Sequence, residues 1–158
     1  MRPLVVPLLA ALAVLVAGCV ESRVSPVEEF EQSIVATRDR VDFALARITR
    51  AQSKDELLGR MDEAADTIDD AASDLDGVDA PKDVDAPKDY ESEVGELVDS
   101  LHQLAFDVQA TADQIRQPGF GDLLTGARGL SFESWDKVNL ALARLIEKGI
   151  GVAPLERH

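Results

Sequence analysis

Apolar positions along the chain fall into four helical stripes separated by breaks. The first opens at Ser25-Pro26-Val27-Glu28, where Ser25 can cap, Pro26 sits where its missing N–H costs nothing, and Glu28 can close a capping box. Apolar or small residues then recur at Val27, Phe30, Ile34, Thr37, Val41, Ala44, Ile48 and Ala51. Gaps that alternate between three and four trace one face of a helix. A second capping box, Ser53-Lys54-Asp55-Glu56, opens a second helix with the stripe Leu58, Met61, Ala65, Ile68, Ala72 and Leu75. Its opposite face carries Asp62, Glu63, Asp66, Asp69, Asp70 and Asp74. So short a connection between two long helices makes them antiparallel neighbours.

The second helix is expected to stop near Gly77, ahead of a tandem hexapeptide, Asp79-Ala80-Pro81-Lys82-Asp83-Val84 and Asp85-Ala86-Pro87-Lys88-Asp89-Tyr90. Prolines six apart forbid a continuous helix, so the first copy reads as a linker and the second as the start of helix three, with Pro87 in its first turn. Helix three is expected to run to about Gln117 on Tyr90, Val94, Leu97, Leu101, Leu104, Val108, Thr111 and Ile115, flanked by Val98 and Ala105. Pro118-Gly119 then opens a glycine-rich stretch, with Phe120, Leu123 and Leu124 expected to cover one end of the bundle. Ser131 is placed to cap helix four, with the face Trp135, Val138, Leu142, Leu145 and Gly149. The tail from Ile150 to Leu155, broken by Gly151 and Pro154, is expected to lie along the bundle. Four such stripes predict an all-α, up-down-up-down four-helix bundle over residues 25–155. A longer coiled-coil hairpin is the alternative architecture.

The apolar run before this domain is of another kind. Arg2 precedes Leu4–Leu15, which is shorter than the ~20 apolar residues a bilayer span takes. Charged start, apolar middle and small residues at the end read as a secretory signal over residues 1–18. The following Val16-Ala17-Gly18-Cys19 resembles the bacterial lipobox. That resemblance implies a bacterial lipoprotein, cleaved before Cys19, with a diacylglycerol on the Cys19 thiol and residues 19–24 as a tether. It places the domain on the extracytoplasmic face of a bacterial cell membrane. Val20 does not resemble the aspartate that marks retention at the inner membrane of two-membrane cells. High Ala, Asp, Val and Arg with little Lys resembles chains from GC-rich actinobacteria.

Composition narrows the chemistry. Cys19 is the only cysteine, so one chain can form no disulfide, CxxC pair or zinc–thiolate cluster. Apolar residues make up 46% of the chain but aromatic ones only 4%, so Ala, Leu, Val and Ile must build the core. Of the net charge of −14, the segment from Gln52 to Asp99 carries −13, through 17 acidic and 4 basic residues. A chain this acidic repels phosphate backbones, so no nucleic-acid partner is expected. It also stands off anionic head groups, leaving the acyl chains of the anchor as the membrane contact.

Several short motifs match patterns known from catalysis or ligand binding only in part. Ser134-Trp135-Asp136-Lys137 matches SxxK, but the SDN and KTG elements that accompany it in serine enzymes do not occur, and Ser134 is expected on the solvent side of the first turn. His102 can share a face with Asp99, two ligands that do not make a metal site, and His158 is the last residue. Asp74, Asp76, Gly77 and Asp83 match positions three, five, six and twelve of an EF-hand loop, but Ala72 stands where the first ligand should be. Gly119-Phe120-Gly121 lacks the third glycine and the strand of a dinucleotide loop. Phe132 and Trp135 read as core anchors rather than ligand contacts. No catalytic residue, cofactor or metal ligand is assigned, and Cys19 is the one site residue, for lipidation. The sequence thus points to binding rather than catalysis: a protein-interaction or envelope-scaffold lipoprotein, or alternatively one that binds a small ligand or metal ion.

Overall fold

Ser25 starts the first helix as its neighbours require. In a computed structural model, which describes residues 25–81, 90–117 and 132–158, the Ser25 hydroxyl accepts the Glu28 N–H and the Glu28 carboxylate accepts the Ser25 N–H at 2.8 Å. Helix α1 runs Pro26–Ile48, α2 Lys54–Asp76, α3 Glu91–Arg116 and α4 Glu133–Glu147. The second box is only half formed: Ser53 accepts the Glu56 N–H, but Glu56 turns to the Gln52 N–H instead. Across the turn between α1 and α2, Arg60 donates to the Arg47 carbonyl at 2.7 Å, beside the Arg50 N–H that the same carbonyl accepts at 3.3 Å.

Consecutive helices run antiparallel, as their cross-seam pairs show. Arg47 meets Glu63 and Arg40 meets Asp74 between α1 and α2. Asp69 meets His102 and Asp62 meets Arg116 between α2 and α3. Glu96 meets Arg144 and Glu93 meets Lys148 between α3 and α4. The expected all-α four-helix bundle is therefore the fold, and its interior is one cluster running from Phe30 to Leu155. Thr37 and Val41 of α1, Leu97 and Leu101 of α3, Val138 and Leu142 of α4 and Leu155 of the tail meet in one crevice, which an open hairpin would not allow. The α1–α4 side is distinctive: the two helices barely meet directly, and residues 150–158 occupy the seam.

The four stripes pack with local corrections. In α2 it is Leu57 that is buried, while Leu58 lies at the edge of the core. In α3, Ala112 takes the place expected of Thr111. This helix starts at Glu91, so Tyr90 is its first flanking residue rather than part of its second turn. The caps of α4 also differ. Phe132, not Ser131, holds its N-cap position without a side-chain bond. Gly149 is no core residue but the left-handed cap beyond its end, with φ 94°. The Ile150 N–H reaches the Leu145 carbonyl at 3.0 Å and the Gly149 N–H the Ile146 carbonyl at 2.9 Å, which is the Schellman pattern. A side chain at that φ would be strained, and the turn aims Ile150 back into the core. The second hexapeptide with Pro87, the glycine-rich stretch from Pro118 and Ser131 lie outside the described residues.

Removing a central stripe side chain forfeits both transfer energy and the space it filled. Leu57→Ala, Leu101→Ala and Leu142→Ala are each expected to cost about 2–5 kcal/mol. Leu58→Ala should cost less, and Asp66→Ala less than ~0.5 kcal/mol. Urea midpoints measure all five. Equal losses for Leu57→Ala and Leu58→Ala would contradict the helix phase described above.

Candidate functional site

Cys19, the lipidation candidate, lies outside the described residues, so the site that can be built from geometry is the surface of the bundle. The acidic face of α2 is not one solvated stripe. Asp62 and Asp69 lean toward α3, onto Arg116 and His102, and Glu63 and Asp74 lean toward α1, onto Arg47 and Arg40. Asp66 and Asp70 form the outward row, without ion pairs among the described residues. The best-defined cluster is at the α2–α3 seam. There Arg116 donates to both Asp62 and Asp113, and Gln109 also reaches Asp62, at 3.3 Å. Its hydrogen bond to Asp62, and then that to Asp113, raise the Arg116 pKa above its ordinary value.

Ser134 is not on the solvent side: it is 1% exposed, its hydroxyl has no hydrogen-bond partner among the described residues, and the SxxK lysine, Lys137, is exposed. A buried serine and a solvated lysine do not form a nucleophile–base pair. His102 does not turn to Asp99 but to Asp69 across the seam, at 2.7 Å. His158 lies 3.2 Å from Asp42. Residues 72–76 continue α2, so Asp74 and Asp76 sit on a helix and cannot wrap a cation as an EF-hand loop does, while Asp83 is outside the described residues. Among the described residues no group of three or more His, Cys, Asp or Glu is placed to hold a metal ion. Trp135 packs half-buried against the core edge, with the Arg157 guanidinium 4.9 Å from its ring. The central crevice has no room for even a water molecule, so it offers a small ligand nothing as it stands.

What sequence reasoning missed is a set of large apolar side chains pointing outward. Phe43 is 63% exposed, Phe106 67%, Leu140 55% and Ile146 42%. Each falls off its helix stripe, and that was the available signal. Two of the five phenylalanines of an aromatic-poor chain thus face solvent. Aromatic side chains at a surface suit contact with another protein, because they bury much area at little entropic cost. No helix among the described residues is long and apolar enough to cross a membrane. No protein-family model, curated protein or solved structure matches the chain.

Clustered carboxylates repel one another, and salt screens that repulsion beyond ~8 Å at physiological strength. Sodium chloride is therefore expected to raise the melting midpoint, with calcium chloride no better at equal ionic strength. A saturable rise at micromolar calcium would instead reveal a specific site and contradict this reading.

Proposed function

We propose that the protein is a lipid-anchored, extracytoplasmic helical-bundle protein of the bacterial envelope that acts by protein interaction, as a scaffold or adaptor rather than an enzyme. The anchor rests on the sequence Val16-Ala17-Gly18-Cys19 behind its apolar run. The interaction role is carried by one observation, the outward display of Phe43 and Phe106 on a folded, closed bundle. Two acyl chains make a stable hold where one is marginal. Helix α1 begins at Pro26, close behind Cys19, so the end of the bundle that holds the start of α1 hangs nearest the lipid. That end carries Glu28 and Glu29, the end of α2 with Asp76, and Glu91 and Glu93 of α3. Such a charge keeps the domain off anionic head groups and leaves its flanks free for a partner. The small-ligand reading gains no support from the central crevice.

Cys19→Ala is expected to leave the protein unprocessed or shed in soluble form, whereas the wild type stays in the membrane fraction at high salt. In living cells, a photo-crosslinking side chain at position 43 or 106 should capture a defined protein neighbour, and one at the outward position Gly59 should not. Normal membrane retention of Cys19→Ala would refute the anchor. Equal capture from all three positions would refute the docking role of the phenylalanines.

A further inference from the structure

Residues 150–158 are the longest non-helical stretch of the described core, and they lie along the seam where α1 and α4 barely meet. Their path can be followed residue by residue. Gly151 passes so near Glu31 that a Cβ there would meet its carboxylate oxygen at 2.6 Å. The Pro154 carbonyl accepts two bonds from Arg38, at 3.1 and 2.6 Å. The Leu155 N–H donates to Asn139 of α4 at 2.7 Å, and the Glu156 N–H to Asp42 of α1 at 2.8 Å. From Gly151 to Glu156 the chain thus keeps pace with α1 from Glu31 to Asp42, about 16 Å of helix at 1.5 Å per residue. Five residue steps cover that distance only if the chain is extended, at about 3.3 Å each.

The strap is held as a bound peptide is held. Leu155, 3% exposed, enters the crevice among Val41, Leu101, Val138 and Leu142, and Val152 is also buried. From Pro154 to Glu156, each backbone bond given above is made to a side chain, on Arg38, Asn139 or Asp42, and none belongs to a sheet ladder. The side chains that hold it are on the bundle, and the chain passes from α4 into the strap through the left-handed Gly149. Non-helical segments whose backbone bonds go to side chains open at lower cost than the helices they cover.

We infer that the α1–α4 groove is a peptide-binding site whose resident occupant is the protein's own strap, and that its external ligand is an extended segment of a partner protein carrying a leucine for the Leu155 position. Such a segment would offer a carbonyl to Arg38 and N–H groups to Asn139 and Asp42, so recognition reads one side chain and otherwise backbone, as in other extended-peptide modes. The strap then acts in cis as a competitor that sets how readily the groove is free. This deepens the interaction reading above and rests on it only for the ligand being a protein. The assay below uses neither anchor nor partner, so its failure would leave that reading standing.

The probe is a fluorescent synthetic peptide with the sequence of residues 150–158, added to the intact protein in detergent. Leu155→Ala in the protein weakens the resident strap without altering the groove. This variant is expected to bind the probe at least tenfold more tightly than the wild type does. Binding should be lost when the probe carries the same leucine-to-alanine change, and should weaken about tenfold when Arg38→Ala is added to the protein. A helical Leu155→Ala protein that shows no saturable binding, or binding indifferent to the leucine of the probe, would overturn the inference. Should Leu155→Ala fail to fold, hydrogen exchange of the wild type decides. Amides of Leu155 and Glu156 exchanging at least a hundredfold faster than that of Leu101 support a strap that opens by itself, and equal rates overturn it.

Discussion

The bundle depends on burying one apolar stripe from each helix against the other three, because no covalent link is available to share the task. Disulfides cannot share it within one chain, because the only cysteine is Cys19, before the first helix. Met61, Ile68, Leu104 and Leu145 lose essentially all contact with water, and small residues such as Ala71, Ala72 and Ala112 let the helices approach between them. The core is thus aliphatic and closely packed, with Phe30 against Tyr90, at 5.5 Å between centroids, as its aromatic pair. Close packing also limits chemistry. The central crevice among the described residues has no room for a water molecule.

Electrostatics set orientation rather than stability. The exposed pairs between helices contribute little each, about 0–1 kcal/mol. Their placement nonetheless favours one antiparallel arrangement, since Arg40, Arg47, Arg116, Arg144 and Lys148 each face a carboxylate of the next helix. The carboxylates in excess are left on the outward row of α2 and at the end where α1 begins, where their repulsion is best relieved by solvent. The same excess discourages contact with phosphate-rich surfaces.

The helices were legible because caps and periods agree. Ser25 and Pro26 mark the start of α1, and its three-four spacing leaves few choices of face. Where two adjacent residues are equally suited, the phase slips: Leu57 and Leu58 are both leucine, and only packing against α1 and α3 chooses between them. Gly149 fits a small-residue stripe as well as a helix cap, and its positive φ is visible only in three dimensions. Ser134 was placed outside because polar residues usually are, yet the first turn of α4 turns it inward. The seam pairs were hidden for a related reason. On α2, a carboxylate leaning to a neighbour and one facing solvent differ by a modest rotation, and the partner depends on which helix lies alongside. The tail was read as apolar and broken, which was enough to lay it on the bundle but not to choose the α1–α4 seam or to name Arg38, Asp42 and Asn139 as its holders. Cys19 remains a matter of sequence alone.

A folded interaction domain hung from a lipid on Cys19 is the centre of this account, and the chemistry of its first mature residue tests it most directly. Mass spectrometry of the amino-terminal peptide of protein purified from cell membranes should find residues 1–18 absent and Cys19 first, with a diacylglycerol joined to its sulfur. An amino terminus elsewhere, or Cys19 present as a free thiol in the membrane-bound protein, would contradict it.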